Sequence, residues 1–232
     1  MRTSLRVVGG LVGAVLIGCS LNITRLTFDL PKQTYSFDTS MWGNLPPAAV
    51  GLTFPSIPCG SDADCCGTAA ATAGWNCQTT PTVCDTGSCE PQIPESTSSS
   101  INLAMQVGAL ATFPGHSLLD VTIGSITYAV SDNTLNVDLP PMEIYLAPDG
   151  VTDPHDSRAT LFGTVPSIPA GSNPMGAVQK TSNADAVFQM YTKNVSTPFN
   201  VIGATTVVIA PGTPVPTGHI TVTVGGTVTA QL

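Results

Sequence analysis

An all-β, β-sandwich-like body is the fold class this sequence predicts, and three observations predict it. Many short runs alternate apolar and polar residues with a period of two, the pattern of half-buried strands. Gly (22) and Pro (20) are plentiful while charged residues make up 9% of the chain, against a usual share of about 25%, which suits short strands joined by turns and argues against a helical bundle. Six of the seven cysteines fall between Cys59 and Cys89, so a small disulfide-rich insert is expected within the β body.

The chain begins MRTSLRVVGGLVGAVLIGCS. Arg2 and Arg6 give a positive start, and an apolar run from Val7 to Ile17 follows, too short to span a bilayer, which needs roughly 20 apolar residues. The run closes on Leu16-Ile17-Gly18-Cys19: an aliphatic residue, a variable one, a small one, then Cys. This order resembles the signal peptide and lipobox of bacterial lipoproteins. The resemblance implies cleavage after Gly18, diacylglycerol on the Cys19 thiol and acylation of the new amine. Each buried methylene contributes about 0.8 kcal/mol, so two or three chains hold a domain on a membrane. Ser20, where inner-membrane retention uses Asp, implies the outer membrane. The expected address is therefore the bacterial cell envelope, anchored to its outer membrane.

Cys19 stands apart from the other six cysteines: Cys59, Cys65, Cys66, Cys77, Cys84 and Cys89. One lipidated thiol and three disulfides would account for all seven, and an exported chain meets an oxidising compartment where such clusters pair. Spacing alone cannot choose among the 15 pairings that six cysteines allow. Adjacent Cys65 and Cys66 are expected to take different partners. There is no CxxC pair and no His in the segment, which favours disulfides over zinc. Asp62, Asp64 and Asp85 read as turn residues ahead of calcium ligands.

Self-similarity suggests two related β units. PSIPCGS at 55–61 returns as PSIPAGS at 166–172, and LTFDLP at 26–31 compares with LNVDLP at 135–140. Tyr35 compares with Tyr145. The expected organisation is a leader at 1–18, a first β unit at 19–131 with a Cys-rich insert at about 56–100, and a second at 132–232. A recurring PSIP turn without common descent is the competing explanation.

Within the units, Leu26-Phe28-Leu30, Leu135-Val137-Leu139 and Leu119-Val121-Ile123 alternate, and Ile126-Tyr128-Val130 resumes out of phase after Gly124-Ser125, the mark of a bulge. MEIYL at 142–146, ATLFGTV at 159–165 and VIGATTVVI at 201–209 are further strands. INLAMQVGAL and NADAVFQMY fit either short helices or strands, and are read as strands because β-like runs follow both. PQIPESTSSS at 91–100 reads as a flexible linker, and HITVTVGGTVTAQL as a hairpin turning at Gly225-Gly226.

Chemistry is sparse. The formal net charge is −8, and loss of Arg2 and Arg6 with a leader takes it to −10, which argues against nucleic acid. No G-x-S-x-G elbow, phosphate loop or dinucleotide fingerprint occurs. His116 beside Ser117 would point to opposite faces of a strand, so the two cannot share a proton. Asp149, Asp153, His155 and Asp156 cluster in PDGVTDPHD, a weak candidate metal loop without an EF-hand pattern. No catalytic residue and no cofactor is expected. The leading expectation is a non-catalytic envelope protein, lipid-anchored to a membrane and presenting a structural, adhesive or protein-binding module to an envelope or surface protein. The alternatives are a carrier holding a lipid or other hydrophobe in a β cavity, and a metal-dependent hydrolase built on the Asp149–Asp156 loop.

Overall fold

Alternating burial sorts most of the chain into strands that pair across long sequence separations. The structure, a computed structural model, describes residues 25–41, 53–69, 80–108, 110 and 120–231. Its strands are β1 (Leu26–Asp29), β2 (Gln33–Asp38), β3 (Thr82–Asp85), β4 (Ser88–Ile101), β5 (Asp120–Ser131), β6 (Met142–Pro148), β7 (Thr160–Val165), β8 (Met175–Ala177), β9 (Gln179–Lys180), β10 (Phe199–Val208) and β11 (His219–Gln231). The α-helices among the described residues are short: α1 (Asp62–Asp64), α2 (Leu103–Gln106) and α3 (Ala184–Thr192).

The strands form two antiparallel sheets in a sandwich-like arrangement. In the first, β11 lies between β5 on one side and β2 then β1 on the other, and β8 flanks β5. Val222 sits opposite both Tyr35 and Val130, and all three are buried. The alternate residues face outward and pair hydroxyls, as Thr27 does with Thr229 at 2.9 Å. The second sheet runs β3-β4-β10-β6-β7-β9. The sheets meet closely where the Tyr35 ring lies on Gly203 of β10. A Cβ there would come within 2.7 Å of ring atoms, so only glycine fits. One core cluster joins residues of both sheets with Val187 and Phe188 of α3 and with buried Cys65 and Cys89.

Strands from both sequence units meet in each sheet: β11 pairs with β1, β2 and β5, and β10 pairs with β4. The two PSIP copies each add a single bridge, Pro58 to Ser88 and Ile168 to Leu139.

Several local expectations hold and several do not. Leu26-Phe28, Ile126-Tyr128-Val130 and the runs at 142–146, 159–165 and 201–209 lie in strands. The bulge falls at Gly124-Ser125, where these two residues of β5 face the single Thr227 of β11. In contrast, residues 91–100 are no linker. They form most of β4, with Pro91 and Ile93 buried and the strand paired along β10 from Gln92 to Ile101. Tertiary pairing overrides the Ser-rich composition there. Gly225-Gly226 is no hairpin turn either, because β11 passes straight through it. Gly226 is needed instead at the bulge, where a Cβ would lie 2.4 Å from the Ser125 carbonyl oxygen. NADAVFQMY is helix α3: Ala184, Val187, Phe188 and Tyr191 recur at helical spacing, and the first three are buried. In INLAMQVGAL, the Asn102 side chain accepts the Met105 N–H at 3.1 Å and caps α2. Leu135-Val137-Leu139 makes only the Leu139 bridge, although Leu135 and Leu139 are buried. Leu119 lies outside the described residues.

Candidate functional site

The anchor candidate Cys19, along with His116, Ser117, Trp42, Trp75 and Cys77, lies outside the described residues. No helix among those described is long and apolar enough to cross a membrane, which says nothing of crossing by strands.

The Cys-rich segment is built on the β3–β4 hairpin. Cys84 and Cys89 are cross-strand partners in it, and each reaches a different loop cysteine, forming Cys59–Cys84 and Cys65–Cys89. Cys66 is also disulfide-bonded, so the adjacent Cys65 and Cys66 do take different partners. Two of the acidic residues here, Asp62 and Asp64, hold the loop. Asp62 accepts the Cys84 N–H at 2.7 Å, and Asp64 accepts the N–H groups of Gly60 and Ser61 at 2.8 and 2.9 Å. These hydrogen bonds, first among them that from Gly60, hold the Asp64 carboxyl below its ordinary pKa. Cys65 and Cys89 are fully buried, and β4 carries the hairpin directly into the second sheet, so the insert is continuous with the sandwich.

The candidate metal loop does not converge. Asp149 accepts from Ser100 Oγ at 3.3 Å. Asp153 accepts the His155 N–H at 2.8 Å and lies 3.3 Å from its Nδ1. Asp156 is taken by Arg158, at 2.9 Å from Nε and 2.6 Å from Nη2, and these bonds bring its pKa to about 2. Among the described residues, Cys59, Cys65 and Cys89 are the one set of three ligand atoms lying within 4.8 Å of one another, and their sulfurs are already in disulfides. The Asp side chains make the turns of the loop. Val151 folds the loop over the second sheet, buried with Ala147 and Ile202, and its carbonyl accepts Asn200 Nδ2 at 2.8 Å.

Beside that loop runs an open groove of about 550 Å³ whose lining includes Glu95, Glu143, Tyr145, Asp153 and His155. Reading the sequence missed the first three. Cross-strand register brings Glu143 level with Ala204 and Ser96, which a linear scan does not show. Burial and the adjacent Glu143, which accepts the phenol at 2.5 Å, push Tyr145 up to about 12, so it stays neutral at physiological pH. His155 and Asp153 are mostly exposed, with side chains 86% and 68% accessible. A second shallow groove of about 610 Å³ lies on the first sheet, around Gly225, Gly226, Thr223 and Thr227. Between the sheets, Ile126, Ile144, Phe162, Phe188 and Phe199 line a void of about 40 Å³.

No protein-family model matches the chain, and no curated protein matches it. Among solved structures, a turnip yellow mosaic virus chain is 12% identical at a TM-score of 0.27, covering 99% of this chain and 87% of its own. The structure of the empty head of that virus gives 11% and 0.27, with 100% and 87% covered. A desmodium yellow mottle tymovirus chain gives 13% and 0.21, covering 66% of this chain and 87% of its own. At such TM-scores the likeness carries no argument about this chain.

Proposed function

We propose that this chain is a lipid-anchored protein of the bacterial cell envelope whose β body acts as a non-catalytic structural, adhesive or protein-binding module. The observation that carries the reading is the order of Arg2 and Arg6, the apolar run at 7–17 and Leu16-Ile17-Gly18-Cys19. The disulfides support it, since such bonds persist in exported proteins. Strand β1 begins seven residues after Cys19, a span of about 25 Å at full extension, so an acylated Cys19 would hold the sandwich against the bilayer surface.

The alternatives fare less well. A carrier of a hydrophobe needs a cavity of roughly 300–1,000 Å³. The void between the sheets lined by Ile126, Ile144, Phe162, Phe188 and Phe199 holds about 40 Å³, and the two larger spaces, of about 550 and 610 Å³, are open grooves. A metal-dependent hydrolase needs convergent carboxylates, and Asp149, Asp153 and Asp156 each bind a different partner.

Intact mass of the purified native protein, with and without reduction, tests the reading. The expected species starts at Cys19, carries the added mass of acyl chains, and gains two hydrogens per disulfide on reduction. Substitution Cys19→Ser should leave the leader uncut and abolish the added acyl mass. A Cys19→Ser chain still processed and still membrane-bound in equal amount sinks the proposal.

A further inference from the structure

The two sheets differ in how their edges are finished. β8 and β9 have three and two residues, and β1 and β2 have four and six, so those edges are short. β4 has fourteen. On one side β10 pairs with it as far as Ile101, and Pro91 accepts the Ile209 N–H. On the other side β3 covers only Ser88 to Pro91, and the last bond there is from the Gln92 N–H to Pro81. Antiparallel strands turn successive residues to opposite sides. The odd-numbered residues 93 to 101 therefore bond β10, and Ser96, Ser98 and Ser100 direct their N–H and C=O groups to the open side. Among the described residues, no backbone group meets them there.

Exposed edges are ordinarily guarded by charge, proline, a bulge or brevity. Here Pro94 and Glu95 stand at the start of the open stretch, and the five residues after them, Ser-Thr-Ser-Ser-Ser, carry no charge. We propose that this edge pairs antiparallel with the same edge of a second copy of the chain, about a two-fold axis through Ser98. In that register Ser98 faces Ser98 of the second copy, Ser96 faces Ser100, Thr97 faces Ser99 and Glu95 faces Ile101. No carboxylate opposes another. For a chain of net charge −8, an uncharged edge is also where two copies repel least. The pairing is isologous, so it closes as a dimer and does not propagate. A ladder this short lies at the weak, transient end of interfaces.

The test is disulfide trapping in the full chain. Residues facing each other in a hydrogen-bonded antiparallel pair have Cα atoms about 5.5 Å apart, within disulfide reach. Under mild oxidation, Ser98→Cys should yield covalent homodimer about tenfold or more above Thr34→Cys, an exposed site on the other sheet, because pairing raises the effective concentration of the thiols. Adding Ser96→Pro to Ser98→Cys should return trapping to the control level, because proline removes an edge N–H that the monomer does not use. Should Ser96→Pro disturb the monomer's circular dichroism, Ser100→Pro makes the same cut. Trapping no greater than with Thr34→Cys, trapping insensitive to either proline, or a Ser98→Cys adduct to a different protein would each overturn the proposal.

Discussion

Tyr35 is 1% exposed, and its hydroxyl has no hydrogen-bond partner among the described residues. Burial pushes the phenol's pKa well above its ordinary value, so it stays protonated. An unpaired buried hydroxyl costs roughly 1–3 kcal/mol. Tyr35→Phe keeps the ring that packs on Gly203 and removes that cost, so urea melts should show unchanged or higher stability, by up to about 1 kcal/mol. Gly203→Ala is expected to act the other way, losing about 1–3 kcal/mol, because its methyl enters the Tyr35 ring. Asp156 makes a pH prediction. Its carboxyl pKa is lowered to about 2 by the Arg158 side chain, so the ion pair is intact above the usual carboxylate range and is lost as pH falls through about 2. Carboxyl chemical shifts followed by NMR should place the Asp156 titration there, and Arg158→Gln should move it back up. At this scale the sequence was readable where residues alternate, as at Ile126, Tyr128 and Val130. Tyr35 and Gly203 were not, because a glycine placed under a ring from the other sheet leaves no mark in either local sequence.

The elements misread from sequence share one cause. Residues 91–100 and Gly225-Gly226 look like linker and turn by composition, yet both lie in strands whose partners are distant: β4 on β10, about a hundred residues later, and β11 on β5. Local propensity is weaker than such pairing. Helix α3 is a different case, since Ala184, Val187, Phe188 and Tyr191 recur at a 3.6-residue spacing, so of the helix and strand that this run fits, the helix is the one that forms. The candidate site divides along the same line. Its cysteines were visible, while Glu95, Glu143 and Tyr145 needed register to bring them together. Glu95 lies within β4 and is half-buried, and desolvation raises its pKa. A raised carboxyl favours the folded state when protonated. Its contribution is therefore present below the ordinary carboxylate pKa and lost as pH rises through the shifted one. Glu95→Gln should thus stabilise the fold at neutral pH and change little at pH 4, a difference that paired thermal melts would show. Equal effects at both pH values would mean that desolvation of Glu95 is not the cause.

At the scale of the molecule, the end of the chain holds the middle of both sheets. β10 separates β4 from β6 in one, and β11 separates β5 from β1 and β2 in the other. A C-terminal hairpin would have been a local unit that truncation could remove cheaply. A central strand is different: its loss leaves β1 and β2 without a sheet and leaves an edge of β5 unpaired. Ile220, Val222 and Val228 are fully buried, and large-to-small changes at such sites cost several kcal/mol each. That approaches the 5–15 kcal/mol by which domains are stable at all. Deleting residues 219–232 should therefore abolish cooperative unfolding and leave a protease-sensitive chain, although the disulfides Cys59–Cys84 and Cys65–Cys89 lie far from the cut. Gly226→Ala should reproduce a milder form of the same defect, because the new methyl would meet the Ser125 carbonyl where β5 bulges against β11. Limited proteolysis of the two variants beside the parent chain distinguishes the outcomes. If the deletion stays resistant and melts in one cooperative step, β11 is dispensable and the first sheet is not organised around it. If only Gly226→Ala is tolerated, β11 is still central but the bulge has slack enough to take a methyl group.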